Sequence, residues 1–263
     1  VNGNKTSGDN SQGIKRQVQE NFGRQALSYN ANCLLADEEN LNAIIRMAGI
    51  MGSERVLDLA TGTGFLAAAL SKVAKDVVAT DITLEMLQQT RPKTGDNTSF
   101  ALADVEILPF EDDSFDVVTC RVALHHFTKP DEAFREIRRV CRPEGRIVIM
   151  DIVSSEDGAR SEYHNKMERL RDSSHVKQYS RSELEGMLKT CDLEMDEVNT
   201  WKYTWQMEEW LYIANPDEVA ANKVRQLMME SIEDDKSGLR VQLRDEEVYF
   251  TYTAAIITAH VRT

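Results

Sequence analysis

Three carboxylates close successive apolar runs in the first half of the chain: Asp58 in "VLDLATGTGFLA", Asp81 in "VVATDIT" and Asp104 in "ALADVEILPF". Just after the first comes Gly62-x-Gly64-x-x-Ala67, a turn that lets a ligand approach the backbone closely at the start of a helix. A carboxylate at Asp81 can accept both hydroxyls of a ribose, and one at Asp104 can accept an adenine amino hydrogen. The segment therefore reads as the cradle of an adenosine-bearing cofactor. Two such cofactors fit the glycines. A dinucleotide would bring a doubly negative pyrophosphate to the helix, close to Asp58, where like charges repel. S-Adenosylmethionine instead presents an ammonium and a sulfonium, which Asp58 attracts. Charge favours the cationic donor.

Further chemistry is offered by His125 and His126 in "ALHHFTKP" and by "ERLRDSSHVKQYS", Glu168 to Ser180. An imidazole can serve as a general base near neutral pH, or it can simply cap a helix or bond to backbone. Glu168, Arg171, Asp172 and His175 recur at spacings of three and four. On a helix that spacing makes either a salt-bridged surface or a polar pocket wall.

The elements that must position these groups alternate between short apolar runs and helical periodicity, as in a parallel sheet covered on both faces. Strands are expected at Arg55–Leu59, Asp76–Thr80, Thr98–Ala101, Phe115–Arg121 and Arg146–Asp151. Between the last two, Ala133, Phe134, Ile137, Val140 and Cys141 form one apolar helix face that ends before Pro143 and Gly145. Beyond Asp151, helices are expected at 155–176 and 180–190, and closing strands in "LEMDEVNTWKY" and "VYFTYTAAIITAHVR". The two strands bracket an insertion, 205–247, rich in Met and Trp, whose Met207, Trp210, Met228 and Met229 read as core or dimer-facing residues. It is also placed to act as a lid.

At 263 residues with 41% hydrophobic and 29% charged, the chain suits one domain, 14–263, with a helical cap at 14–50 and a disordered start at 1–13. A net charge of -13 argues against general affinity for nucleic acid or anionic membranes. No apolar run is long enough to span a membrane, so a cytoplasmic protein is expected, a monomer or homodimer. Cys33, Cys120, Cys141 and Cys191 lack CxxC pairing and read as reduced, mostly buried thiols; no metal site is expected.

The quoted motifs, with "DVEILPFEDDSFDVVTCRVALHHF" and "REIRRVCRPEGRIVIMDIV", resemble class I S-adenosylmethionine-dependent methyltransferases of the UbiE/YcgJ-like group. The resemblance runs from about Gln17 to Leu193. It implies a Rossmann-like α/β fold: a seven-stranded, mostly parallel sheet with helices on both faces, its last strand (Tyr249 to Val261) antiparallel beside the fifth. It implies that Asp58, Thr61, Gly62, Thr63 and Gly64 hold the methionine end of the cofactor, Asp81 and Ile82 the ribose, and Asp104 and Val105 the adenine edge. Arg121 would floor the methionine moiety, while an N-terminal helix would fold Phe22 and Tyr29 over the cofactor. His126 and His125 become candidate bases beside the transferable methyl, and Arg171 and His175 candidate acceptor contacts. Asn32 and Leu35 depart from the group's usual Ser and His. The implied reaction is methyl transfer to a small, partly apolar acceptor, a quinone-like or phenolic carbon or oxygen ahead of a thiol, leaving S-adenosylhomocysteine. A dinucleotide oxidoreductase or a non-catalytic cofactor-binding protein are the alternatives.

Overall fold

The computed structural model describes residues 11–30 and 37–262, with side chains from 11–26 and 37–262. Tyr29 as a side chain, and Asn32, Cys33 and Leu35 altogether, lie outside that range. Two N-terminal helices, α1 (Ser11–Asn30) and α2 (Glu38–Ala48), precede an alternating series: β1 (Arg55–Leu59), α3 (Phe65–Leu70), β2 (Asp76–Asp81), α4 (Leu84–Thr90), β3 (Thr98–Leu102), β4 (Phe115–Arg121), α5 (Pro130–Val140) and β5 (Cys141–Val153). The second half comprises α6 (Gly158–Arg171), α7 (Arg181–Thr190), β6 (Leu193–Gln206), α8 (Met207–Ala214), α9 (Glu218–Glu230), β7 (Gln242–Arg244) and β8 (Glu247–Val261).

The main path of the sheet runs β3-β2-β1-β4-β5-β8-β6. Its first five strands pair in parallel, and β8 lies antiparallel between β5 and β6, as expected. Successive residues of a strand point to opposite faces, so β1 sends Leu57 and Leu59 into a core with Phe115, Phe134 and Ile147, and Val56 into another with Leu70, Val117 and Ile256. A third cluster, built on Trp210, Met228 and Phe250, fills the space under the insertion. Met207, Trp210 and Met228 are buried there as expected, whereas Met229 is exposed. Cys120, Cys141 and Cys191 are buried free thiols.

Three expectations need correction. The sheet has an eighth strand, β7, which pairs with β8 through a tight turn at Asp245 and Glu246, both at positive φ. Such a turn favours Asn or Gly, and "DEE" carries no such signal. Helix α6 ends at Arg171 rather than running to 176, because Asp172 accepts bonds from the Ser174 amide (2.9 Å) and hydroxyl (2.6 Å), folding the chain away. Residues 11–13 are the first turn of α1 rather than disordered.

Candidate active site

The turn after β1 holds Ala60, Gly62 and Gly64 at positive φ. A Cβ on Gly64 would stand 2.3 Å from Thr90 Cγ2, so a side chain is excluded there. A Cβ on Gly62 would meet nothing within 4 Å, which leaves its backbone open to a ligand. The turn is tied down by the Thr61 amide donating to Thr80 O (2.8 Å) and by the Thr90 hydroxyl donating to Gly62 O (2.8 Å).

Asp58 and Asp81 are buried at the ends of adjacent strands. Asp58 accepts the hydroxyls of Thr61 (2.5 Å) and Thr119 (2.8 Å), and Asp81 accepts the amides of Gly62 (2.8 Å) and Thr83 (2.9 Å). Burial nevertheless pushes both carboxyls up to about 6, since these bonds offset only part of the desolvation. Asp104 follows β3 and pairs with Lys15 of α1 at 2.6 Å, while Lys15 also bonds Glu106. Neither Lys15 nor Glu106 was singled out by sequence reading, because the contact joins segments nearly ninety residues apart.

These groups open on one cavity of about 290 Å³. Phe22, Thr61, Gly62 and Thr63 line it beside Asp58 and Asp81, with Ile82, Asp104 and Val105 at the other edge. Arg121, His125, His126 and Arg171 line the remainder, but Gly64 and His175 do not. Gly64 acts behind the loop. His175 sits past the end of α6, bonded through Nε2 to Asn165 Oδ1 (3.0 Å) and stacked 5.5 Å from the His125 ring. Burial holds it neutral, well below the usual histidine range. The three- and four-residue spacing failed for His175 because the helix had already ended.

The two adjacent histidines are differently held. His125 Nδ1 lies 2.8 Å from Asp151 Oδ1 and 3.0 Å from Oδ2. Burial opposes protonation of this imidazole, but the Asp151 carboxylate outweighs it and raises its pKa. A carboxylate only accepts, so Nδ1 carries a proton and the Nε2 lone pair is left over. His126 Nδ1 donates to Ser174 O at 3.0 Å, and its ring meets Phe22 edge-on at 5.0 Å. Burial and the neighbouring His125 push it down to about 4. Asp151 was legible in principle: it stands at the end of its strand as Asp58 and Asp81 do.

The opposite wall comes from α6, β8 and the insertion. Glu168, buried, accepts the Tyr252 hydroxyl and lies 3.2 Å from His164 Nε2 and 3.5 Å from Arg171 Nη1. Burial favours its neutral form, but these donors prevail and keep it ionised. Arg171 donates to Trp210 O (3.1 Å) and stacks 4.5 Å above that indole. Ile152, Trp205 and Ile213 add apolar surface.

The donor set suits a ligand with ribose hydroxyls and a positive charge, as S-adenosylmethionine has. Arg121 strengthens the fit: its Nε is buried with no hydrogen-bond partner among the described residues, ready for a carboxylate. A pyrophosphate would face two buried carboxylates instead. The chain matches the methyltransferase-domain family model over residues 57–149. It is 34% identical over 194 residues to the uncharacterized methyltransferase YcgJ of Bacillus subtilis, spanning 72% of this chain and 77% of that protein. The solved structure of YcgJ superposes with a TM-score of 0.81 at 29% identity, over 86% of this chain and 99% of that one. A shorter match, 40% identical over 115 residues, covers 41% of this chain and 45% of the ubiquinone/menaquinone biosynthesis C-methyltransferase UbiE of Pseudomonas paraeruginosa. With likeness extending over so much of both chains, this protein belongs to the class I S-adenosylmethionine-dependent methyltransferases, and S-adenosylmethionine is its cofactor.

Proposed function

We propose that the acceptor is a small, partly apolar molecule methylated at a quinol-like or phenolic carbon or oxygen, and that His125 removes its proton. The observation that carries this reading is the His125–Asp151 pair, 2.8 Å apart, at the edge of a cavity walled by Trp205, Trp210, Ile152 and Ile213. When bound, S-adenosylmethionine supplies an electrophilic methyl on a sulfonium. His125 would take the acceptor proton at Nε2 as the acceptor receives that methyl, with the carbon–sulfur electron pair left on the cofactor's sulfur. Asp151 holds the ring and stabilises the imidazolium. His126, pushed to about 4, is the weaker base, so the leading role moves from His126 to its neighbour.

The same reading gives Asp81 and Ile82 the ribose, Asp104 and Val105 the adenine edge, and the Thr61–Thr63 turn the methionine end. Residues 205–247 wall the acceptor side through Trp205, Trp210 and Ile213, a fixed wall rather than a swinging lid, and Arg171 is an acceptor contact. The partial likeness to UbiE supports a quinone-like acceptor. A cytoplasmic protein without nucleic-acid partners fits the net charge of -13, and no helix among the described residues is long and apolar enough to cross a membrane.

Incubation with labelled methyl donor and separate panels of quinols, phenols and thiols tests the acceptor class. Label in a quinol or phenol is expected; label confined to thiols overturns it.

A further inference from the structure

Glu168 is a buried carboxylate on α6 that nevertheless lines the cavity. Its two oxygens are used unequally. Oε1 accepts the Tyr252 hydroxyl and His164 Nε2 (3.2 Å), whereas Oε2 meets Arg171 Nη1 at 3.5 Å, the outer limit of a hydrogen bond. A carboxylate offers about four acceptor positions, so Oε2 keeps capacity for a further donor. The donor must come from the cavity side. Glu168 also lies close enough to His125 for its charge to favour the imidazolium, so a ligand at the base is within the field of this carboxylate. Asp172, which lines the cavity too, adds a second negative charge near the Arg171 guanidinium. Arg171 is thus balanced before any ligand arrives. An entering anion meets more negative charge than positive on this wall, while a neutral hydroxyl finds an ionised oxygen ready to accept it.

We infer that Glu168 sets the choice of acceptor: its Oε2 accepts a second hydroxyl from a neutral, dihydroxylated ring whose reacting end faces His125, and its charge, with that of Asp172, turns carboxylated rings away. The inference rests on the quinol-like reading of the acceptor and narrows it. Phenols with one hydroxyl lose the bond to Glu168, and hydroxybenzoates meet repulsion that Arg171, already paired with Glu168, does not offset.

Calorimetric titration of the S-adenosylhomocysteine-loaded protein with hydroquinone, phenol and gentisate, the carboxylated analogue of hydroquinone, tests both parts under anaerobic conditions. The wild type should bind hydroquinone at least about tenfold more tightly than either of the others. In Glu168→Gln the preference over gentisate should shrink by at least about tenfold, because Arg171 is left unbalanced. Glu168→Asp keeps the charge but withdraws the oxygen from the cavity. It should still reject gentisate while its preference for hydroquinone over phenol falls to less than about threefold. Retained S-adenosylhomocysteine binding shows that a variant folds, and if neither variant does, the wild-type ratios decide. Equal wild-type affinity for all three ligands, a preference for gentisate, or ratios that Glu168→Gln leaves unchanged overturns the inference. Binding of none of the three, with thiols bound in their place, brings down the quinol-like reading itself, a result distinct from equal binding of all three.

Discussion

The two halves of the cavity are built on different principles. The cofactor half is made at the ends of β1, β2 and β3, where each carboxylate is fixed by its position at a strand end. The other half, which we assign to the acceptor, is assembled from α6, β8 and α8, elements far apart in sequence that meet around Glu168 and Trp210. One half is set by chain-local geometry and the other by packing. Mutations in the first should therefore act on binding alone, while those in the second should disturb stability and acceptor use together.

The sharpest test of that division lies at the border between the halves. Replacing His125 with Ala should lower kcat by about 10²- to 10⁴-fold while leaving S-adenosylhomocysteine affinity within about twofold. His126→Ala should have a clearly smaller effect, and the reverse ranking would return the base to His126. Because Asp151 raises the His125 pKa above its ordinary 6.5, kcat should climb with pH through the region above that value as the imidazole is freed.

Trp210→Ala should come next, costing about 3–5 kcal/mol through loss of a buried indole packed edge-on against Phe250. Denaturant unfolding measures the loss. Acceptor KM should rise while cofactor affinity holds; a loss of cofactor affinity as well would show that the halves are not separable. In the other half, Asp81→Ala should weaken S-adenosylhomocysteine binding by about 10- to 100-fold in calorimetry, with little change in melting temperature. Unchanged affinity would remove Asp81 from the ribose.

The smallest effect is on pH. Asp58 and Asp81 titrate near 6 when folded, above the ordinary carboxylate value of 3.8. The folded state thus binds more protons than the unfolded one between those values, and the free protein loses stability as pH rises through that window. Cofactor binding runs the other way, since it uses the ionised carboxylates. Affinity should grow about tenfold for each of the two carboxylates from about pH 5 to about pH 7, and flat affinity would mean that burial does not shift these groups.

Legibility followed the same border. Asp58, Asp81 and the glycine turn could be read because a few neighbouring residues determine their geometry. The partial α-helical spacing around Glu168 correctly brought Glu168, Arg171 and Asp172 to the cavity, then misled at His175, where Asp172 redirects the chain. The His125–Asp151 pair was hidden because His125 follows β4 while Asp151 lies near the end of β5, although Asp151 obeys the rule that revealed Asp58. Lys15, Tyr252 and Trp205 carry no local signal at all: each reaches the cavity only through contacts supplied by the fold. The eighth strand was missed for a related reason, since its turn lacks the usual residues.

Strand β8 has a mechanical consequence. Its 15 residues run unbroken from Val248 and Phe250, among the residues under the insertion, to Ala259 and Val261, deep in the sheet between β5 and β6. A rigid member shared in this way cannot let one wall of the cavity swing while the other stays fixed. Its central amides should therefore exchange hydrogen only when the whole molecule opens, and the insertion should unfold with the sheet in a single cooperative step. Helix α1 is held differently: it spans the cavity from Lys15 on Asp104 to Gln25 on the carbonyl of Ala214, tethered by side chains rather than by the sheet.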